Sequence, residues 1–243
     1  IKYKNVDMPY KITKDLYPKC RESNFEITVT LVKRTYDWVV TRIEQGDKTD
    51  KNYGLCVDLG STTVIMRLVD LNTGDIVVEE GCFNKQISFG EDILNRIFYT
   101  RNSKEKLYEI HKATIYTFSE LIDIITEKSK INGEDISVMT VAGNTTMIHF
   151  LLNIDPWTIF QMPYTPIFNH TGFISCDEIG IPINGYLYCF PSVANYLGGD
   201  IVSGVLFTEI YKQKELSAFI DIGTNGELVI GNKDFLVAVA GAA

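Results

Sequence analysis

Positive charge is scarce in these 243 residues: Lys plus Arg number 23 against 31 Asp plus Glu, giving a net charge of −8 and a pI near 5.0. A chain that grips nucleic acid through its phosphates usually shows a basic face, so no nucleic-acid partner is expected. Long apolar runs are missing as well. No stretch approaches the ~18 uncharged apolar residues of a membrane span, so no membrane role is expected. Ile1, Lys2 and Lys4 form no apolar signal core and no Met opens the chain, which reads as a piece excised from a longer protein. The five cysteines, Cys20, Cys56, Cys82, Cys176 and Cys189, have no CxxC spacing, which excludes zinc-ribbon and ferredoxin sites. Cys56 and Cys82 sit in apolar, strand-like contexts and read as buried free thiols, in keeping with a cytoplasmic location. A Walker A lysine pattern is also absent. What is present, 45% apolar and 22% charged residues, is the composition of a globular domain.

The first fifty residues read differently from the rest. Glu26–Val32 alternates and Trp38–Ile43 continues in the same style, predicting two strands. The polar, breaker-rich stretch Gln45–Asn52 then reads as a linker. Residues 1–50 are expected to end a preceding small domain. From Tyr53 onward, short strands are predicted over Leu55–Asp58, Val64–Val69 and Ile76–Glu80, with Leu71-Asn72-Thr73-Gly74 turning between the last two. Ile93, Leu94, Ile97 and Phe98 share a helix face. Leu107, Ile110, Thr114, Phe118, Leu121, Ile122 and Ile125 make a longer stripe, with Asn102 and Glu105 spaced as a capping box at its start. A strand over Ile136–Ala142, a helix over Thr145–Leu152, a long loop over 156–185, a strand over Tyr186–Phe190 and a helix over Val193–Tyr211 follow. Strands at Phe219–Asp221, Glu227–Ile230 and Phe235–Val239 close the list. A three-strand meander followed by crossovers predicts an α/β fold with a mixed sheet.

Two segments echo one another across 163 residues. Leu55-Cys-Val-Asp58-Leu-Gly60-Ser61-Thr62-Thr63 and Ala218-Phe-Ile-Asp221-Ile-Gly223-Thr224-Asn225-Gly226-Glu227 share one plan: apolar strand, Asp, Gly, hydroxyl residue, tight turn, second strand. Gly60 and Gly223 let the backbone approach a ligand closely. Successive N–H groups, with Ser61, Thr62, Thr63, Thr224 and Asn225, then form a concavity suited to anions, phosphates above all. An Asp two residues before such a turn would repel a phosphate directly, and a hydrated Mg²⁺ between them resolves the conflict. Each copy alone also fits an ordinary glycine hairpin with a capping Asp. The pair is what a duplicated, two-lobed nucleotide site would leave.

These residues resemble the two phosphate motifs of the actin, sugar kinase and Hsp70 superfamily, which implies RNase H-like lobes with ATP in the cleft between them. A narrower resemblance is carried by Asn84-Lys-Gln86-Ile-Ser-Phe-Gly90-Glu-Asp92-Ile-Leu-Asn-Arg96-Ile97, Ala142-Gly143-Asn144-Thr145-Thr146-Met147-Ile-His149 and Pro191-Ser-Val-Ala-Asn-Tyr-Leu-Gly198-Gly199-Asp200-Ile-Val-Ser-Gly204. Together they resemble the reductive activators of corrinoid proteins over residues 54–243, with Lys85 standing where that family usually carries Pro. The resemblance implies a first actin-like ATPase lobe over 54–217 and the start of an incomplete second lobe over 218–243. It implies ATP and Mg²⁺ as cofactors, a [2Fe–2S] cluster in an N-terminal domain outside this sequence, and a Co(II) corrinoid protein or corrinoid methyltransferase as partner, with a homodimer as a further expectation. Asp58 and Asp200 are the expected catalytic residues and Asp58 and Asp221 the expected metal-holding pair. The nucleotide would be bound by Asp58, Gly60, Ser61, Thr62, Thr63, Asn144, Asp221, Gly223, Thr224, Asn225 and Gly226.

Plainer roles stand beside these. Asp200 fits a solvated helix cap, and Asn144 fits a cap on the helix at Thr145. His149 reads as packed and His111 as a solvated helix residue. A small-metabolite kinase and a non-enzymatic actin-like nucleotide sensor remain the alternative functions.

Overall fold

The computed structural model describes residues 4–223 and 226–241. Its N-terminal part opens with β1 (Val6–Asp7) and α1 (Tyr10–Glu22), followed by β2 (Ile27–Lys33) and β3 (Trp38–Gln45). These strands make a three-stranded sheet in the order β1-β3-β2. The two expected strands are found, but α1 was not anticipated. Pro18 lies inside it and none of its residues is fully buried, so neither composition nor a strong apolar stripe announced it. Arg42 on β3 donates to the carbonyls of Glu134 (2.7 Å) and Lys51 (2.9 Å), tying the small sheet and the 45–52 segment to the rest of the chain.

The central sheet contains β4 (Tyr53–Leu59), β5 (Thr63–Asp70) and β6 (Ile76–Phe83) as an antiparallel meander. After α2 (Ile93–Thr100) and α3 (Lys104–Ser129), β7 (Ile136–Gly143) joins parallel to β4. Next come α4 (Thr145–Leu151), α5 (Trp157–Phe160), β8 (Phe173–Ser175), α6 (Cys176–Ile179) and β9 (Tyr186–Cys189). The order is β6-β5-β4-β7-β9-β8, a mixed sheet as expected. Strand alternation sends Leu55, Val57 and Leu59 to one face, where they pack with Ile110, Phe118, Leu121 and Ile125 of α3. The same alternation leaves Cys56, Asp58, Ile65 and Arg67 on the opposite face.

Several local expectations are corrected. The 156–185 segment is not a plain loop: it contains two short helices and β8, which pairs antiparallel with β9. Ser103, not Asn102, caps α3, accepting from the Lys106 N–H; Asn102 adopts φ 60° instead. Cys56 is exposed and Cys82 half-buried; the buried thiols are Cys176 and Cys189, both pushed up to about 12 by burial. His111 is buried, its Nδ1 2.8 Å from the Leu151 carbonyl oxygen. His149 is packed as expected, stacked on Phe168 at 4.4 Å.

The helix expected over Val193–Tyr211 begins only at Gly199: α7 spans Gly199–Thr208 with Gly198 as its N-cap. It lies against β7 on one side and, on the other, β10 (Ser217–Ile222), which with β11 (Gly226–Gly231) and β12 (Leu236–Ala240) makes a third sheet. One face of that sheet carries Phe219, Asp221, Glu227 and the buried Val229. The other carries Ile220, Ile222, Ile230, Val237 and Val239, all exposed. The strands at 217–240 are thus a separate sheet whose outer apolar face is left bare by the residues described.

Candidate nucleotide site

The cleft forms where the β4–β5 turn meets the β10–β11 hairpin. The turn between β4 and β5 holds Gly60, Ser61 and Thr62; the turn between β10 and β11 holds Gly223. Both line a cavity of about 280 Å³ together with Asp58, Thr63, Asn144, Asp200, Asp221 and Glu227. The first turn admits no side chain at Gly60, where a Cβ would lie 2.5 Å from the Thr63 carbonyl oxygen. Thr224 and Asn225 lie outside the described residues, and Gly226 opens β11.

Alternation along the strands explains why the acids meet. Asp58 shares its face of β4 with Cys56, away from α3. Asp221 shares its face of β10 with Phe219, toward α7. Register places Glu227 directly across from Asp221, hence on the same face. Asp200 enters from the first turn of α7, its Oδ1 accepting from the Ile201 N–H at 2.8 Å. The structure therefore brings together Asp58, Asp200, Asp221, Gly60, Ser61, Thr62, Thr63, Gly223 and Asn144. Glu227 is an addition that sequence reasoning did not assign to the site, although the hairpin register around Gly223–Gly226 contained it. Asn144 serves as the N-cap of α4, accepting from the Met147 N–H at 3.0 Å, while also lining the cleft.

Four acids in one cleft repel each other. The Asp58 side chain reaches water, yet protein hems it closely; that burial, and then the Asp221 charge, raise its carboxyl above the ordinary value. Burial first, then the charges of Glu227, Asp221 and Asp58, push Asp200 up to about 6 against the helix N–H that favours its charged form. Glu227 is raised by burial and by Asp221. Such a set, all oxygen donors, fits a hard divalent cation. Among the described residues, however, no group of three metal-ligating side chains lies close enough to hold an ion. A cation here would keep most of its water.

The Asp200 shift has a measurable consequence. Between the ordinary aspartate value and about 6, the folded chain keeps a proton that the unfolded chain gives up. Asp200 therefore weakens the fold as pH rises through about 6. In magnesium-free buffer without nucleotide, the urea midpoint of the parent should fall more steeply than that of Asp200→Asn between about pH 5 and about pH 7.5. Superimposable pH profiles for the two proteins would show that the Asp200 carboxyl is not held in this strained state.

A second cavity, of about 470 Å³, adjoins the first and shares Asp58, Asp200 and Asp221 with it; Arg67 and Phe207 are among its other walls.

A mixed sheet in which the meander precedes the parallel crossovers, and a doubled glycine turn with an Asp before each copy, define an actin-like nucleotide-binding class, the ASKHA type. Residues 53–213 match the family described as the RACo middle region, and residues 215–243 match the C-terminal domain of RACo, the ASKHA domain. The chain belongs to the RACo family. It is 30% identical over 198 residues, 81% of its length, to the corrinoid activation enzyme RamQ of Eubacterium limosum. It superposes with a TM-score of 0.90 and 39% identity, over 97% of its length, on a solved reductive activator for a corrinoid, iron–sulfur protein. The chain spans 33% of the first relative's length and 38% of the second's. No helix among the described residues is long and apolar enough to cross a membrane.

Proposed function

We propose that this chain is the ATP-binding and ATP-hydrolysing part of a protein that drives ATP-dependent reductive activation of a corrinoid protein or corrinoid methyltransferase. One observation carries the nucleotide half of this reading: two glycine turns meet at one cleft whose charged lining, among the described residues, is a set of carboxylates. The corrinoid half is supported by what the two relatives are said to do.

In this reading the turn at Gly60–Thr63 takes phosphate oxygens through its N–H and hydroxyl donors, and the turn at Gly223 approaches from the opposite side. Asp58 and Asp221 would hold Mg²⁺ through its water, and the ion would supply the positive charge that the phosphates need. Asp200, with its carboxyl raised toward neutrality, would orient the attacking water and accept its proton. Positioning by preformed donors does the remaining work. The cysteines described here do not fit an iron–sulfur cluster. They are scattered free thiols, and burial keeps Cys176 and Cys189 protonated. In this reading the cluster belongs to a separate N-terminal domain.

ATP can bias the two lobes only by its differential affinity for their closed arrangement. A coupling of ~2–3 kcal/mol would change partner affinity roughly 30–150-fold, and the partner must tighten ATP binding by the same factor. Calorimetric titration of the full-length protein with ATP, with and without a Co(II) corrinoid protein, should show that shift beside ATP-dependent corrinoid reduction. Equal ATP affinity in both titrations, with reduction proceeding as well without ATP, would defeat the reading.

One observation favours a second reading. The 470 Å³ cavity beside Asp200 would serve as the acceptor pocket, with a nearby base, that a small-metabolite kinase needs. A phosphorylated product in a metabolite screen would establish it.

A further inference from the structure

The segment behind the first phosphate turn holds a buried polar chain that the reading above does not use. Asn84 is fully buried and makes two contacts with the turn. Its backbone N–H donates to the Thr62 carbonyl at 2.8 Å, and its side-chain Nδ2 donates to the Gly60 carbonyl at 2.9 Å. Its own Oδ1 is occupied by the Gln86 N–H at 3.0 Å, which fixes the amide so that the nitrogen faces Gly60. Gln86, also fully buried, donates from Nε2 to Thr114 Oγ1 on α3 at 2.6 Å and accepts at Oε1 from Arg96 Nη1 at 3.3 Å. Arg96 Nε donates to the Gly90 carbonyl at 2.9 Å. Arg96 Nη1 and Asn84 Nδ2 both reach the Met147 sulfur, at 3.7 and 4.0 Å.

Arg96 is the unusual member. It is the largest fully buried side chain of the core, and its Nη2 has no hydrogen-bond partner. No ion pair neutralises it among the described residues, and burial pulls its guanidinium down to about 10, which leaves it charged at neutral pH. A buried cation without a carboxylate is costly. A methionine or leucine would fill the space at lower cost if packing were the whole requirement.

The direction of the two Asn84 bonds shows what the chain sets. The Gly60–Ser61 and Thr62–Thr63 peptides are trans, so each C=O points opposite to the N–H that follows it. Drawing the Gly60 and Thr62 carbonyls toward Asn84 turns the Ser61 and Thr63 N–H groups away from it, and all four residues line the cleft. A turn whose carbonyls faced the cleft would repel an anion; this one is held the other way.

We propose that Asn84, fixed by Gln86 and Arg96, is the positioning residue of the first turn, holding Ser61 and Thr63 N–H toward the terminal phosphates of a nucleoside triphosphate. The proposal rests on the nucleotide reading above. Arg96 acts as the rigid end of the chain, because its planar fork spans Gly90 and Gln86 in one fixed geometry that a lysine ammonium lacks. Its uncompensated charge also favours an anion in the turn in front of it.

The test is titration of the full-length parent, Asn84→Ala and Arg96→Lys with Mg–ATP and with AMP, which lacks the terminal phosphates. Asn84→Ala should weaken ATP by about 10–100-fold and leave AMP within about twofold. Arg96→Lys should weaken ATP to a lesser degree with AMP again unmoved. A purely structural role would weaken both nucleotides together, or neither, and either result overturns the proposal. Hydrogen exchange on the parent gives an answer even if a variant fails to fold. Mg–ATP should protect the peptide covering 60–63 more than AMP does, and equal protection overturns the assignment. Failure of the parent to bind ATP at all would remove the nucleotide reading itself, and this proposal with it.

Discussion

Asp58→Asn should lower ATP hydrolysis by the full-length protein by roughly 10²–10³-fold, the loss typical of removing one preorganised charged group from a reacting centre. The fold should not suffer. Asp58 sits with its charge penalised by burial and by Asp221, in a cleft that also holds Asp200 and Glu227. Replacing the carboxylate with an amide of the same shape removes one of four like charges, so the nucleotide-free variant should melt at or above the parent temperature. Loss of activity with gain of stability marks a residue kept for function at a cost to the fold. A variant that binds Mg–ATP and turns it over like the parent would show that Asp58 does not hold the cation. A variant that is inactive and also much less stable would show that Asp58 is structural.

The parts of this site that could be read from the chain are those encoded within ten residues. The echo around Asp58 and Asp221 is of that kind: strand, acid, glycine turn and return strand are local, and two copies of one local pattern imply one cleft. The α3 stripe is equally local, since seven positions at helical spacing, six of them apolar, leave one way to pack. The start of α7 is different. Gly198 and Gly199 looked like residues inside a longer helix; in the fold they are where the chain passes close to Asn144, dozens of residues away, and to Phe190 at the end of β9. β8 is three residues long and exists only because β9 supplies its hydrogen bonds. The burial of His111 and Arg96 was hidden for a related reason. Polar side chains read as exposed unless their partners are known, and those partners are a carbonyl on α4 and an amide before α2. Cys56 was misread because its apolar neighbours Leu55 and Val57 face α3, while the intervening residue faces the cleft side. Glu227 was within reach of a register argument, since the pairing of β10 with β11 sets it opposite Asp221.

Gly198→Ala should be among the most damaging single methyl groups added to this molecule. A Cβ at Gly198 would lie 2.4 Å from the Gly143 carbonyl oxygen and 2.5 Å from Asn144 Cα, both backbone atoms at the junction of β7 and α4. Neither is the end of a flexible side chain, so the strain cannot be relieved by a rotamer change; either α7 or the β7–α4 junction must move. Overpacking of this kind costs about 1–3 kcal/mol, or more where only backbone can yield. At about 2–4 °C per kcal/mol for a chain of this size, the melting temperature should fall by roughly 5–10 °C. The displacement also reaches the chemistry, because Asp200 lies two residues into the moved segment and Asn144 lines the same cleft. Hydrolysis measured well below the new melting point should therefore drop as well. Gly133→Ala is the matched control: the nearest atom to its added Cβ is Thr126 Cγ2 at 3.9 Å, so it should leave both melting and hydrolysis unchanged. If Gly198→Ala instead melts with the parent, α7 is not seated against the end of β7 as closely as the 2.4 Å approach requires, and Asp200 has no fixed place from which to act.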